Sequence, residues 1–215
     1  MKFLDKYNIK IKNQELLITA LTHSSYSNEH NCENYERLEF LGDAVLSAVT
    51  SAYLYSSEKS SEGEMSKKRA KFVCESALYE YSRQIGSIPY IRVGKGQKSN
   101  INKTIVADTF EAIIGAIFLD QGFVTAEKFI YEVVIPYIKK DYHFLDDYKS
   151  ALQEMVQTNK KSLEYRLINE NGPAHNKTFE VEVVIDGITY GNGIGKTKKE
   201  AEQHAAYDAF QKQAK

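Results

Sequence analysis

Residues 105–119, IVADTFEAIIGAIFL, constrain the fold more than any other stretch of the chain. The run is almost wholly apolar and long enough for a helix, so it predicts a helix buried on most of its sides. Asp108 and Glu111 are its only ionisable residues, and their i, i+3 spacing sets both on one face. A buried carboxylate without a partner is strongly unfavourable, so something must compensate. Basic side chains could do so, but this helix carries none. A divalent cation is the other solution.

A second acidic set lies in Tyr35–Leu46, YERLEFLGDAVL. At about 100° per residue, Glu36, Glu39 and Asp43 fall within about 60° of one another on a helix. Leu38, Leu41, Val45 and Ala48 lie on roughly the opposite side. Taken alone, this pattern describes an amphipathic helix with a solvated acidic face. Beside Asp108 and Glu111 it describes two helices able to converge four carboxylates, the hard oxygen ligands that Mg²⁺ or Mn²⁺ prefers. Such a site suits phosphodiester hydrolysis, where the cation activates water and neutralises the leaving oxygen.

Helical periodicity runs through residues 1–140. Leu16, Leu17, Ala20 and Leu21 follow Asn13, a good N-cap, and residues 36–55 and 105–119 form longer helices. Ser56–Gly63 and Gly86–Lys103 read as loops, and Pro136 starts or bends the last helix of this half. The pattern changes near Asp146. Tyr148–Asn159 is helical, a strand is expected near Leu163–Ile168, and Phe179 to Ile185 alternates as a strand does. Asp186-Gly187 is a two-residue hairpin signal before Ile188-Thr189-Tyr190, and residues 198–212 return to helix. The expected fold is therefore multidomain: an all-α domain over 1–146, then a small α-β-β-β-α domain over 147–215.

Lys plus Arg number 28 against 29 Asp plus Glu, a net charge of −1. A globally basic nucleic-acid binder is excluded, though a local basic patch is not. One such patch is legible at Thr197-Lys-Lys-Glu200, a capping box that puts Lys198 and Lys199 in the first turn of a helix. Cations there oppose the helix dipole, which favours a phosphate clamp over a role in helix stability. Ala201, Ala205 and Ala209 recur at i, i+4, i+8 and allow close packing on a sheet. Cys32 and Cys74 are too few for a disulfide framework or a four-Cys zinc site. No apolar run reaches the roughly 18 residues of a membrane span. A cytoplasmic location with no membrane partner is expected. Gly193-Ile-Gly-Lys lacks the spacing of a nucleotide-binding loop and reads as a tight turn. His23 and His204 read as packing or hydrogen-bonding residues, since no His/Cys cluster surrounds them.

The run Glu36-Arg-Leu-Glu-Phe-Leu-Gly-Asp43 resembles the signature of the ribonuclease III family of double-strand-specific endoribonucleases. Ala20-Leu-Thr-His-Ser-Ser25, Glu62-Gly-Glu-Met-Ser66 and Ala107-Asp-Thr-Phe-Glu-Ala-Ile-Ile-Gly115 resemble its supporting segments, in the same order. The resemblance implies that Glu39, Asp43, Asp108 and Glu111 are the metal carboxylates, with Asp43 and Glu111 catalytic. It associates Glu36 and Glu62 with the cleavage cleft and dimer contacts; Glu64 competes with Glu62 for that match. It implies a homodimer through the N-terminal domain, with Mg²⁺ as cofactor and Mn²⁺ as a substitute. Double-stranded RNA would be cut to 5′-phosphate and 3′-hydroxyl ends, in the processing of ribosomal and other RNA.

Residues 147–215 resemble a double-stranded-RNA-binding domain. Gly193 to Ala206 matches its C-terminal signature, and Asn171-Gly-Pro-Ala-His-Asn-Lys-Thr-Phe179 its β1–β2 segment. By that resemblance Gln153 and Glu154 would meet ribose hydroxyls in one minor groove, and His175 would enter the next. Lys196, Lys198 and Lys199 would cross the intervening phosphates. Such contacts read A-form shape more than sequence. Two other readings remain open: a catalytically silent RNA-binding regulator, and a phosphohydrolase of small nucleotides.

Overall fold

The computed structural model describes residues 2–98, 101–144, 148–158, 161–173 and 177–213, with all their side chains except those of Ser150, Glu154, Thr158 and Gln213. The chain divides into two compact units, Met1–Tyr142 and His143–Lys215. The expected division after residue 146 falls outside the described residues. No helix among the described residues is long and apolar enough to cross a membrane.

The first unit is helical. After a 3₁₀ turn at Asp5–Tyr7, its described α-helices are α1 (Gln14–Ala20), α2 (Ser24–His30), α3 (Glu36–Ser57), α4 (Glu62–Phe72), α5 (Glu75–Ile85), α6 (Lys103–Gln121), α7 (Phe123–Val133) and α8 (Ile135–Lys139). Asn13 caps α1 through its side chain, which accepts from the Glu15 amide, and Pro136 sits in the first turn of α8. The segment after α5 contains two short 3₁₀ turns, Ile88–Tyr90 and Lys95–Gln97. The Ser-rich loop is shorter than expected, because α3 runs on to Ser57 and Ser61 already caps α4.

Helix α6 is the axis of this unit. From Ile105 to Ile117 every side chain is buried except those of Asp108 and Glu111. Its largest partner is α3, which buries Leu38, Gly42, Val45, Leu46, Val49, Thr50 and Leu54. The buried stripe of α3 is therefore rotated from the expected one: Ala48 is exposed and Leu41 only half-buried. The acids flank the helix–helix seam rather than standing opposite it.

The second unit is α9 (Tyr148–Thr158), β1 (Leu163–Asn171), β2 (Thr178–Ile185), β3 (Ile188–Gly195) and α10 (Lys198–Gln213). The strands form one antiparallel sheet in the order β1-β2-β3. The all-α domain followed by a small α-β-β-β-α domain matches the architecture expected from the sequence. Asp186 and Gly187 both take left-handed backbone angles, φ 49° and 80°, as a type I′ hairpin turn requires. The core joins Leu152 and Val156 of α9 to Val181, Val183 and Ile185 of β2 and to Ala201, Ala205 and Ala209 of α10.

The expected tight turn at Gly193–Lys196 is a correction: Gly193 and Gly195 lie inside β3. The glycines serve a close approach. A Cβ on Gly193 would stand 2.2 Å from the Ala205 amide nitrogen, and one on Gly191 2.4 Å from the Ala205 carbonyl oxygen. Alanines on α10 and glycines on β3 thus bring helix and strand into backbone contact.

Candidate active site and nucleic-acid interface

The acidic site is assembled by two helix-interior glycines. A Cβ on Gly42 would lie 3.0 Å from the amide nitrogen of Gly115, and one on Gly115 would lie 2.3 Å from the carbonyl oxygen of Leu38. Neither helix can carry a side chain at the crossing, so the residues beside it are drawn together. On α3 these are Glu39 and Asp43; on α6 they are Asp108 and Glu111.

Electrostatics record that proximity. Burial, then Asp43, Glu39 and Asp108, push Glu111 up to about 8. Burial, then Asp108, Glu36 and Asp43, push Glu39 up to about 7. Asp108 is also raised, chiefly by burial, although a hydrogen bond from the Tyr35 hydroxyl opposes the shift. That bond spans 3.1 Å to Asp108 Oδ2. Burial and Asp108 in turn raise Tyr35, so its hydroxyl stays a donor. Asp43 is exposed and accepts a long bond, 3.4 Å, from Ser47 Oγ on its own helix.

Among the described residues, no Lys or Arg is ion-paired with any of the four acids. Nor do any three Asp, Glu, His or Cys side chains stand close enough, as placed, to hold one metal ion. The acids meet through their fields rather than through a ready cage. Four neighbouring carboxylates with no Lys or Arg ion-paired to them among the described residues, three of them with a raised affinity for protons, are nevertheless a donor set that fits a hard divalent cation.

Glu36 is exposed on the first turn of α3 and contributes to the shift of Glu39. Glu62 does not join this group within one chain. It lines a separate groove with Ser51, Tyr55, Met65 and Arg69, and accepts from Ser66 Oγ at 2.9 Å. Glu64 is occupied in the capping box of α4 with Ser61. His23 is a cap: its Nδ1 accepts from the Ser25 amide at the start of α2. His204 Nδ1 meets the Ile194 carbonyl at 2.5 Å.

In the second unit Lys196, Lys198 and Lys199 are exposed, and among the described residues none makes an ion pair. Thr197 Oγ1 accepts from the Glu200 amide at 3.1 Å, as a cap should. Glu200 reaches one residue beyond the expected capping box, to the Lys196 amide at 2.7 Å. Both bonds fix the backbone that carries the lysines. Lys198 Nζ lies 5.8 Å from the centre of the Phe179 ring. Gln153 is exposed on α9 beside buried Leu152. The Glu154 side chain and His175 lie outside the described residues.

Charge and periodicity alone give Gly42 and Gly115 no task. A glycine inside a helix is still a legible signal, because it costs about 1 kcal/mol relative to alanine. The bond from Tyr35 to Asp108 joins residues far apart in sequence, and no local pattern announces it.

Residues 13–138 match the family model described as ribonuclease-III-like, and residues 148–213 match the double-stranded RNA binding motif. Ribonuclease 3 of Onion yellows phytoplasma (strain OY-M) is 49% identical over 212 residues, spanning 97% of this chain and 89% of that protein. Ribonuclease 3 of Streptococcus thermophilus is 44% identical over 219 residues, spanning 98% and 96%. The nuclease domain of ribonuclease III from Campylobacter jejuni, solved in a study of flexibility in its dimer-forming region, superposes with a TM-score of 0.57 at 36% identity. The match covers 62% of this chain and 94% of that one.

Proposed function

The chain belongs to the ribonuclease III family and is a ribonuclease III enzyme, an endoribonuclease of double-stranded RNA; from that premise we propose that Glu39, Asp43, Asp108 and Glu111 hold its catalytic divalent cation. The observation that carries the assignment is the Gly42–Gly115 crossing, which sets Glu39 and Asp43 of α3 beside Asp108 and Glu111 of α6; the upward shifts of Glu39 and Glu111 agree with it. Mg²⁺ is the ion proposed, with Mn²⁺ as a substitute, because every donor is a hard oxygen. When bound, the ion supplies Lewis acidity for water attack on phosphorus and charge neutralisation at the leaving oxygen.

The chain's own residues do the rest. Asp43 and Glu111, one from each helix, are the catalytic pair, fixed in distance by the Gly42–Gly115 crossing. Glu39 and Glu111, whose hold on protons is raised, surrender protons as the ion binds near neutral pH. Hydrolysis adds water across the bond and leaves 5′-phosphate and 3′-hydroxyl ends, with no protein nucleophile.

The second unit supplies duplex affinity. Lys196, Lys198 and Lys199 cross the phosphates, while Gln153, Glu154 and the loop bearing His175 reach the flanking minor grooves. Structured precursors, ribosomal RNA among them, are the substrates proposed, and the cytoplasm the compartment.

A second copy of the chain completes the enzyme. Phe40 on α3 is 81% exposed, and its helix neighbours Leu38 and Leu41 line a groove with Leu16 and Leu119, rimmed by Glu15 and Glu33. A large exposed ring on the same helix as a groove that offers four leucines is what a self-complementary two-fold interface requires. Glu36 and Glu62 belong to the cleft and contact region of that dimer.

The deciding experiment offers a long RNA duplex, its separated strands and a nucleotide with Mg²⁺ or chelator. Cleavage of the duplex alone, only with metal and with 5′-phosphate ends, is expected. Binding without cleavage would make the chain a silent regulator. Equal turnover of the nucleotide would make it a small-molecule phosphohydrolase.

A further inference from the structure

We propose that Tyr35 is a positioning residue for the reaction, holding the Asp108 carboxylate in place for the cation through its hydroxyl. The proposal rests on the assignment of Glu39, Asp43, Asp108 and Glu111 as cation ligands.

Tyr35 touches both acid-bearing helices. Its carbonyl oxygen accepts from the Leu38 and Glu39 amides at 2.8 and 2.9 Å, so it closes the first turn of α3 under Glu39. Its hydroxyl donates to Asp108 Oδ2 of α6 at 3.1 Å. Its own amide donates to the Thr22 carbonyl oxygen at 2.9 Å, and its ring lies 5.7 Å from that of His23. The residue is only 3% exposed.

The segment behind it is anchored as well. Thr22 is buried, its hydroxyl donates to the Ile18 carbonyl at 2.6 Å, and the His23 amide donates to the Arg92 carbonyl at 2.9 Å. The phenol is therefore a fixed donor at the end of an enclosed ring, not a mobile one.

Asp108 is distinguished by this support. Among the described residues, Asp43 takes its side-chain bond from its own helix, and Glu39 and Glu111 accept none from another side chain. One oxygen of Asp108 is occupied by a donor of set direction, which orients the other for a ligand. Partners of this kind orient metal ligands, and their loss costs about 10- to 100-fold in metal affinity or activity. A carboxylate already oriented also loses less rotational freedom when the ion arrives.

Tyr35→Phe removes the hydroxyl and keeps the ring. The test measures Mn²⁺ binding to the full chain without RNA, from the loss of the free-ion electron paramagnetic resonance signal, for wild type, Tyr35→Phe and Glu111→Gln. Melting in chelator and the Mn²⁺ dependence of duplex cleavage are recorded in parallel. Tyr35→Phe should bind Mn²⁺ about 10- to 100-fold more weakly and melt as wild type does. Its half-activating Mn²⁺ concentration should rise by the same factor, with a far smaller loss of rate at saturation. If Glu111→Gln binds Mn²⁺ as wild type does, the acidic site falls and the Tyr35 proposal with it. If Glu111→Gln loses binding while Tyr35→Phe matches wild type, the acidic site stands and Tyr35 has no part in it. Weaker Mn²⁺ binding by Tyr35→Phe accompanied by a large drop in melting temperature would make its role structural and overturn the proposal.

Discussion

Gly42 and Glu111 meet backbone to backbone: a Cβ on Gly42 would lie 1.8 Å from the Glu111 carbonyl oxygen. The glycine next to Asp43 is thus seated on the peptide of Glu111. Separation of the two helices, and with it the separation of the acids they carry, is set by a side chain that is not there.

Alanine at Gly42 or Gly115 should therefore be destabilising, against the helix propensity it adds. Gly→Ala gains about 1 kcal/mol of propensity in a helix interior. The added methyl strikes backbone, which no rotamer change relieves, and overpacking costs about 1–3 kcal/mol or more. The clash should win, lowering the urea midpoint and cleavage together. Gly63→Ala is the control, since a Cβ there meets nothing within 4 Å. It should be neutral or stabilising. Wild-type stability in Gly42→Ala would show that the crossing has slack.

These glycines mark the limit of what the sequence discloses. Residues 105–119 announce their burial through composition, and Asp186-Gly187 announces its hairpin through turn chemistry, because both signals are local. The four acids are legible as two spaced pairs on two helices. Their coupling is not, since it depends on which stripe of α3 meets α6, and Gly42 and Leu46 outrank Leu41 and Ala48 there. Gly193 and Gly195 mislead for the same reason: glycine suits a turn and a close approach equally, and only the alanines of α10 decide between them.

Stability of the metal-free protein should fall as pH rises. Glu39 and Glu111 sit at about 7 and 8 in the folded chain, above the ordinary glutamate value of 4.5. Between that value and about 8 the folded state holds protons that the unfolded state has released. Their stabilising contribution is complete below the ordinary value and lost as pH passes the raised ones. Urea midpoints in chelator across the range from weakly acidic to alkaline pH should decline more steeply for wild type than for Glu111→Gln, whose side chain cannot ionise. Parallel curves would remove the raised Glu111. Mg²⁺ binding below the raised Glu39 value should also release protons, and well above the Glu111 value almost none, as calorimetry in buffers of different ionisation heat would register.

Phe40→Glu should dissociate the proposed dimer. The ring is exposed within one chain, so the exchange removes little intrachain packing, and surface changes of this kind usually fall within about 0.5 kcal/mol. In a two-fold contact the same substitution sets a charge against the groove's four leucines and its acids Glu15 and Glu33 in each copy, at a cost well above that. Sedimentation equilibrium should report a monomer that keeps its helical circular dichroism. A dimer as tight as wild type would place the interface away from Phe40.

Lys198→Ala with Lys199→Ala should weaken binding to unrelated duplexes by nearly the same factor. Phosphate contacts position a protein without reading bases, so no sequence should be spared. Each lysine–phosphate pairing removed should also flatten the slope of log affinity against log salt by up to about one, because fewer counterions are released. Both lysines are exposed without ion pairs among the described residues, and Thr197 and Glu200 fix their turn through backbone bonds that the substitutions leave in place. The fold should consequently persist, at the expense of the weak attraction between Lys198 and the Phe179 ring. The duplex must reach roughly 16 base pairs for the module to span two minor grooves. Cleavage at saturating RNA should change little, since the acids lie in the other unit. Titrations at several salt concentrations, paired with single-turnover rates at saturation, separate the two effects. An unchanged salt slope, or a large loss of saturated rate with intact binding, would show that these lysines do not clamp phosphate.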